Sequence, residues 1–164
     1  MSPASMSGKI CIVTGANSGI GKETALGLAQ MGARVVMVCR NAEKGEAALE
    51  EICREVGSSQ VDLLIADMSS QASVRELAAQ IQRKYSRLDV LVNNAGGAAP
   101  GHTLSADGIE MTLATNHLGA ALLTLLLLDL LKASAPSRIV NVSSSEAQSP
   151  VSYTHLTLPT ILRV

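Results

Sequence analysis

The stretch Ile10-Cys11-Ile12-Val13-Thr14-Gly15-Ala16-Asn17-Ser18-Gly19-Ile20-Gly21 decides how the rest of the chain is read. Its first four residues are apolar and rich in β-branched side chains, the composition of a buried strand. A turn with glycines spaced G-x-x-x-G-x-G follows, and a helix-like segment from Ile20 to Met31 opens directly behind it. Glycines let a backbone turn tightly and approach a pyrophosphate closely. The helix N-terminus then offers unpaired N–H groups and the positive end of a dipole. The spacing is not the commoner G-x-G-x-x-G. Such a turn can also join a strand to a helix with no ligand at all, but its place between the two favours phosphate binding.

Outward from this stretch the pattern alternates. Gly32 ends the first helix, and Arg34 to Cys39 reads as a second strand. Ala42 to Val56 reads as a helix, with Glu and Lys on one face and Ala47, Leu49, Ile52 and Val56 available for the other. Val61 to Ala66 is a third strand. Ser70 to Tyr85 is a helix with Val74, Leu77, Ala78 and Ile81 at i, i+3, i+4 and i+7. Asp89 to Val92 is a fourth strand. A loop with Gly97, Pro100 and Gly101 leads into a long helical stretch ending near Lys132, and Arg138 to Ser143 is a fifth strand. Strands alternating with helices imply right-handed crossovers and a parallel sheet. Strands that are apolar throughout suit a sheet covered by helices on both faces.

Composition narrows the function classes. The 164 residues carry a net charge of −1 with both signs mixed, so no basic stripe argues for nucleic acid. Two tyrosines and no Phe or Trp leave no stacking platform for bases, and the core must be built from aliphatic side chains. Cys11, Cys39 and Cys53 are few and widely spaced, as expected of free thiols in a reducing, intracellular compartment. No histidine stands at ligand spacing to a cysteine, so no metal site is expected. Met1 to Ser7 has no apolar core of a secretory signal. Leu118 to Leu131 is too short to span a bilayer and contains Asp129, so it reads as a buried helix and no membrane segment is expected in this chain.

Four ordered motifs then carry a resemblance. Thr14 to Gly21 looks like the cofactor turn of the short-chain dehydrogenase/reductase family, and Asp67 closes the third strand where that family contacts adenine. Asn93-Asn94-Ala95-Gly96 closes the fourth strand like the family's N-N-A-G, which supports the sheet and borders the cofactor. Asn116-His117-Leu118-Gly119 lies in the long helix, and Arg138-Ile139-Val140-Asn141-Val142-Ser143-Ser144 forms the fifth strand. With Leu131 to Ser137 the combination is similar to the retinol dehydrogenase-like branch, over roughly residues 8 to 147.

The resemblance implies an α/β fold, a Rossmann-type doubly wound parallel sheet that is incomplete at its C-terminal side. It implies Gly15, Asn17, Ser18, Gly19, Ile20, Gly21, Asp67, Asn94, Ala95 and Gly96 as cofactor-binding residues. Asn116 would mark a local kink that holds a water of a proton relay, although a solvated helix Asn is the plainer alternative. Ser144 would be the catalytic serine, with Ser143 the fallback and an ordinary strand exit the plain alternative. An NAD enzyme places an acid at the end of the second strand for the ribose 2′-OH. Here Cys39 stands there and Arg40 follows, a planar permanent cation suited to a 2′-phosphate, so NADP(H) is the expected cofactor.

The family's acid/base tyrosine and its lysine four residues on are not found. Tyr153 is followed four residues later by Thr157, no Lys occurs after Lys132, and Pro159 interrupts any helix. The expected division is therefore residues 1–149 as a partial dinucleotide-binding domain and 150–164 as a non-family tail, read as foreign adaptor sequence ahead of a splice variant or a frameshift. The expected parent is an oxidoreductase moving a hydride between NADP(H) and a small lipophilic alcohol or carbonyl of retinoid-like kind. Its location would be cytoplasmic, with endoplasmic reticulum association and a homo-oligomer left open for the full-length form. The chain itself is expected to be inactive. The rival readings are a non-catalytic dinucleotide-binding module and an unstable fragment.

Overall fold

A computed structural model describes residues 5–57, 60–99 and 101–144. Its elements alternate as read above: β1 (Ile10–Thr14), α1 (Gly19–Gln30), β2 (Arg34–Cys39), α2 (Ala42–Val56), β3 (Val61–Ile65), α3 (Gln71–Lys84) and β4 (Val90–Asn93). A continuous helical run then comprises α4 (Met111–Leu113), a π-helical segment (Ala114–Gly119) and α5 (Ala120–Ala133), before β5 (Arg138–Asn141). All strand pairs are parallel and the order is β3-β2-β1-β4-β5. This is the incomplete Rossmann-type sheet that the motifs imply. Because β1 lies between β2 and β4, the chain leaves it in one direction and returns on its other side, and the loops after β1 and β4 diverge at that point.

Side chains alternate across the sheet and split the core in two. Ile12, Val36 and Leu91 face α3 and α5, where Leu77, Ile81, Leu123 and Leu127 are fully buried. Cys11, Val13, Val35 and Met37 face α1 and α2. The buried residues of α1 are Gly21, Ala25 and Ala29, small enough to let this helix lie close on the strands. On α2 the inward face is Gly45, Ala48 and Ile52, and Ala47 is exposed. Leu49, Ile52 and Val56 pack into the core as read, and only Ala47 lies off that face, with Gly45 seated directly on Leu63 and Cys39.

Two carboxylates, one buried and one half-buried, lock the sheet. Asp89 accepts from Ile10 N–H (2.9 Å) and Lys9 Nζ (2.9 Å) and pairs with Arg87, tying β1 to β4. Burial pushes its carboxyl up, but Arg87, the Ile10 N–H and Lys9 outweigh this and hold it at about 2. Asp62 on edge strand β3 plays the same part between Arg34, Lys84 and the Tyr85 hydroxyl. Those partners overcome the burial that opposes its charge and also hold it at about 2.

The run Met111–Ala133 is 23 residues long and apolar enough, by length and composition, to cross a membrane. The length argument made on Leu118 to Leu131 therefore fails, since the helix begins earlier than that apolar core. One side of it packs in the domain. Leu123, Leu127 and Leu131 are buried, and Gln82 Nε2 on α3 donates to Leu126 O (2.8 Å).

Among the described residues β5 pairs only with β4, and Val140 and Val142 are 43% and 40% exposed. An unpaired apolar edge invites association. Light scattering of the purified chain should show self-association. A monodisperse monomer with a sharp thermal transition would contradict this.

Candidate functional site

The C-terminal ends of the strands converge on a cleft of about 490 Å³ between the loop after β1 and the loop after β4. Gly15, Asn17, Arg40, Asp67, Ala95 and Gly96, drawn from four strand ends, all line it. Thr14 holds its floor. This buried hydroxyl donates to Val92 O (3.3 Å) and accepts from the N–H groups of Asn94 and Ala95, each at 3.0 Å. Asn94 Nδ2 donates back to Thr14 O (2.9 Å) and Gly15 O (3.3 Å), so the two loops are stitched into one surface. The sequence motif alone assigns Thr14 no role. A hydroxyl ending a buried strand was the available signal.

The glycines act through close approach. A Cβ on Gly15 would lie 2.9 Å from Ala95 Cα, and its φ of +68° also favours glycine. A Cβ on Gly21 would overlap Gly15 O and Asn94 Nδ2. Gly19 differs: a Cβ there would meet nothing within 4 Å, so the space in front of α1 is open. The N-cap residue of α1, Ser18, makes no side-chain cap bond, and the first turn holds no acid. By contrast Asn41 caps α2 at Lys44 N–H and Ser70 caps α3 at Ser73 N–H. The N-terminus of α1 thus presents uncapped N–H groups beside the Gly15 turn, a fit for a phosphate.

Arg40 is exposed on the cleft rim immediately after buried Cys39, whose thiol burial pushes up. Asp67 is half-buried, and its Oδ1 accepts from Ser69 N–H (2.9 Å) and Ser69 Oγ (2.7 Å). Asn116 falls within the π-helical segment, so the local irregularity expected there is present. Its side chain is not merely solvated: Oδ1 accepts from Gly97 N–H (3.0 Å) and Nδ2 donates to Gly97 O (3.1 Å). Ser18, Gly19, Ile20, Gly21, Asn94, Asn116 and Ser144 are not in the cleft lining. Ser144 is exposed three residues beyond Asn141, which pairs with Asn93. Tyr153 and the tail lie outside the described residues. The reading from sequence missed that Thr103, Met111, Thr112 and Thr115 complete the cleft wall.

The short chain dehydrogenase family profile matches residues 9–155, running past the boundary drawn at 149. The chain is 51% identical to human Retinol dehydrogenase 13 over 143 residues, 87% of this chain and 43% of that protein. It therefore spans less than half the length of the curated relatives it matches. Among solved structures it resembles a metagenomic short-chain oxidoreductase in complex with NADP (TM-score 0.79, 32% identity, 90% of this chain and 67% of that one). It also resembles the RhlG/NADP active-site complex of Pseudomonas aeruginosa (TM-score 0.75, 34% identity, 88% of this chain and 58% of that one).

Proposed function

The chain belongs to the short-chain dehydrogenase family, and from that premise we propose that its strand-end cleft binds NADP(H) in an oxidoreductase acting on a lipophilic, retinoid-like alcohol or carbonyl compound. The observation that carries the cofactor choice is Arg40 on the cleft rim with Gly15 and Asn17, following a buried Cys39 where an acid would repel a 2′-phosphate. In this reading the uncapped start of α1 takes the pyrophosphate, with Ser18, Gly19 and Ile20 supplying backbone around it. Asp67 keeps one carboxylate oxygen on Ser69 and offers the other to the adenine. Asn94, Ala95 and Gly96 border the nucleotide under the control of Thr14. NADP(H) supplies or accepts the hydride when bound. Ser144 would orient the substrate oxygen, and Asn116 would hold the π-helical segment against Gly97 beside it. The similarity to Retinol dehydrogenase 13 supports the substrate class, and the free Cys11, Cys39 and Cys53 support a reducing, intracellular setting. The exposed β5 edge leaves room for a homo-oligomer.

Arg40→Ala should weaken NADPH binding by about 1–3 kcal/mol, the scale of a hydrogen bond to a charged group, and leave NADH nearly unchanged. Fluorescence titration of both nucleotides measures this, and equal losses would refute the assignment. One observation favours a second reading for the chain as written: it contains no Lys after Lys132, and hence no Tyr-x-x-x-Lys. In that reading it is a non-catalytic dinucleotide-binding module.

A further inference from the structure

Gly97, Ala98, Ala99, Thr103, Met111 and Thr112 build one wall of the cleft, and that wall is fastened from outside the cleft to the helix that starts behind the opposite wall. Asp107 Oδ2 accepts from Gln71 N–H at 2.8 Å, 36 residues away in sequence. Gln71 is the first residue of α3, and α3 has no acid of its own in its first turn. Ser70 satisfies the Ser73 N–H, so the carboxylate of Asp107 takes a different unpaired donor of the same helix end.

We propose that Asp107 is a positioning residue for the nucleotide: held by Gln71 N–H, it fixes the separation of the cleft's two walls. The inference rests on the NADP(H) reading above. Three observations connect the exposed contact to the cleft. First, Asp107 sits on a stiff turn. Ser105 N–H donates to Ile109 O (2.7 Å), Met111 N–H donates to Thr103 O (2.9 Å), and Leu104 bridges Glu110. Thr103 and Met111, at the base of this turn, line the cleft, so anchoring the tip places the base. Second, the opposite wall is held by the same start of α3, because Asp67 N–H donates to Ser73 Oγ (2.8 Å). Third, the helical run that continues from the first wall packs on the same loop. Gly119, which closes the π-helical segment, lies so near Met68 that a Cβ there would overlap the Met68 carbonyl. Residues 67–73 are therefore a hub for both walls.

The plain alternative is that Asp107 only caps α3. Four variants of the 164-residue chain separate the two. Gln71→Pro removes the donor at the first helical position, where Pro suits the backbone and no N–H is needed. Asp107→Ala removes the acceptor, and Asp107→Asn keeps an oxygen that can accept. Asp107→Ala and Gln71→Pro should each weaken NADPH binding about three- to tenfold, the range of one net hydrogen bond. The double variant should be no weaker than the weaker single, and Asp107→Asn should recover most of the loss. Hydrogen exchange of the nucleotide-free chain should quicken in residues 103–112 of Asp107→Ala while residues 77–84 keep their protection. Additive losses, or NADPH affinity unchanged while thermal stability falls, would overturn the positioning role alone. No saturable NADPH binding by the unaltered chain would overturn the cofactor reading, and the positioning role with it.

Discussion

The 164-residue chain is expected to bind NADPH weakly and to oxidise it, against aldehydes or retinoids, at least about 10²–10⁴-fold more slowly than a complete family member. A dehydrogenase must move a proton at the substrate oxygen as it moves a hydride at carbon. Ser144 can orient that oxygen, but a serine hydroxyl is not an effective acid/base near neutral pH. Asn116 cannot supply the proton either, because a carboxamide is not an acid near neutral pH; its side chain instead bonds the Gly97 backbone. The resemblance assigns the proton to a tyrosine made more acidic by a lysine four residues on, and the sequence offers only Tyr153 followed by Thr157. Imperfect positioning of substrate would cost several kcal/mol more. NADPH fluorescence titration combined with an oxidation assay reads both halves. Turnover at the level of a complete enzyme, abolished by Tyr153→Phe, would show that Tyr153 does the acid/base work after all.

Gly21→Ala should destabilise the fold by about 1–3 kcal/mol or more, the cost of forcing atoms into a packed site, and remove NADPH binding. The added methyl would meet Gly15 O and Asn94 Nδ2, and neither yields without cost. The first belongs to the backbone of the phosphate turn, and the second is bonded to Thr14 O and Gly15 O. Gly27→Ala in the same helix is the control. Its Cβ would meet nothing within 4 Å and its backbone is not in the left-handed region. That change should be neutral or stabilising by up to about 1 kcal/mol, the helix preference of Ala over Gly. Thermal melts and NADPH titration of the two variants test the contrast. A Gly21→Ala chain as stable and as competent as the parent would mean that the turn and α1 are not packed as described.

Much of this was legible in the order of residues. Both ends of β2 and of α2 were read as they stand. Apolar β-branched runs specify strands locally, and Asn41 offers a cap where α2 begins. On the inward face of α2 only Ala47 was misplaced, because Ala47 and Ala48 are chemically identical. Which of them is buried depends on how Gly45 seats against Leu63 and Cys39, residues of two other strands. The long helix was read with its end near Lys132 and with Asn116 to Gly119 inside it. What the order of residues did not show is that Ala114 to Gly119 wind as a π turn.

The sequence by itself determined the strand–helix alternation, the glycine turn from Gly15 to Gly21, the Cys39-Arg40 pair at the end of β2, and the lack of a Tyr-x-x-x-Lys. These are local patterns, and short-range sterics and composition are enough to express them. Only the tertiary structure decided that Thr14 governs the loop after β4, that Asn116 clasps Gly97, and that Asp107 caps α3. Each of those bonds joins groups separated by 19 to 80 residues. They exist because the strand order β3-β2-β1-β4-β5 brings distant loops to one end of one sheet, where buried polar groups must find partners among whatever the topology places beside them.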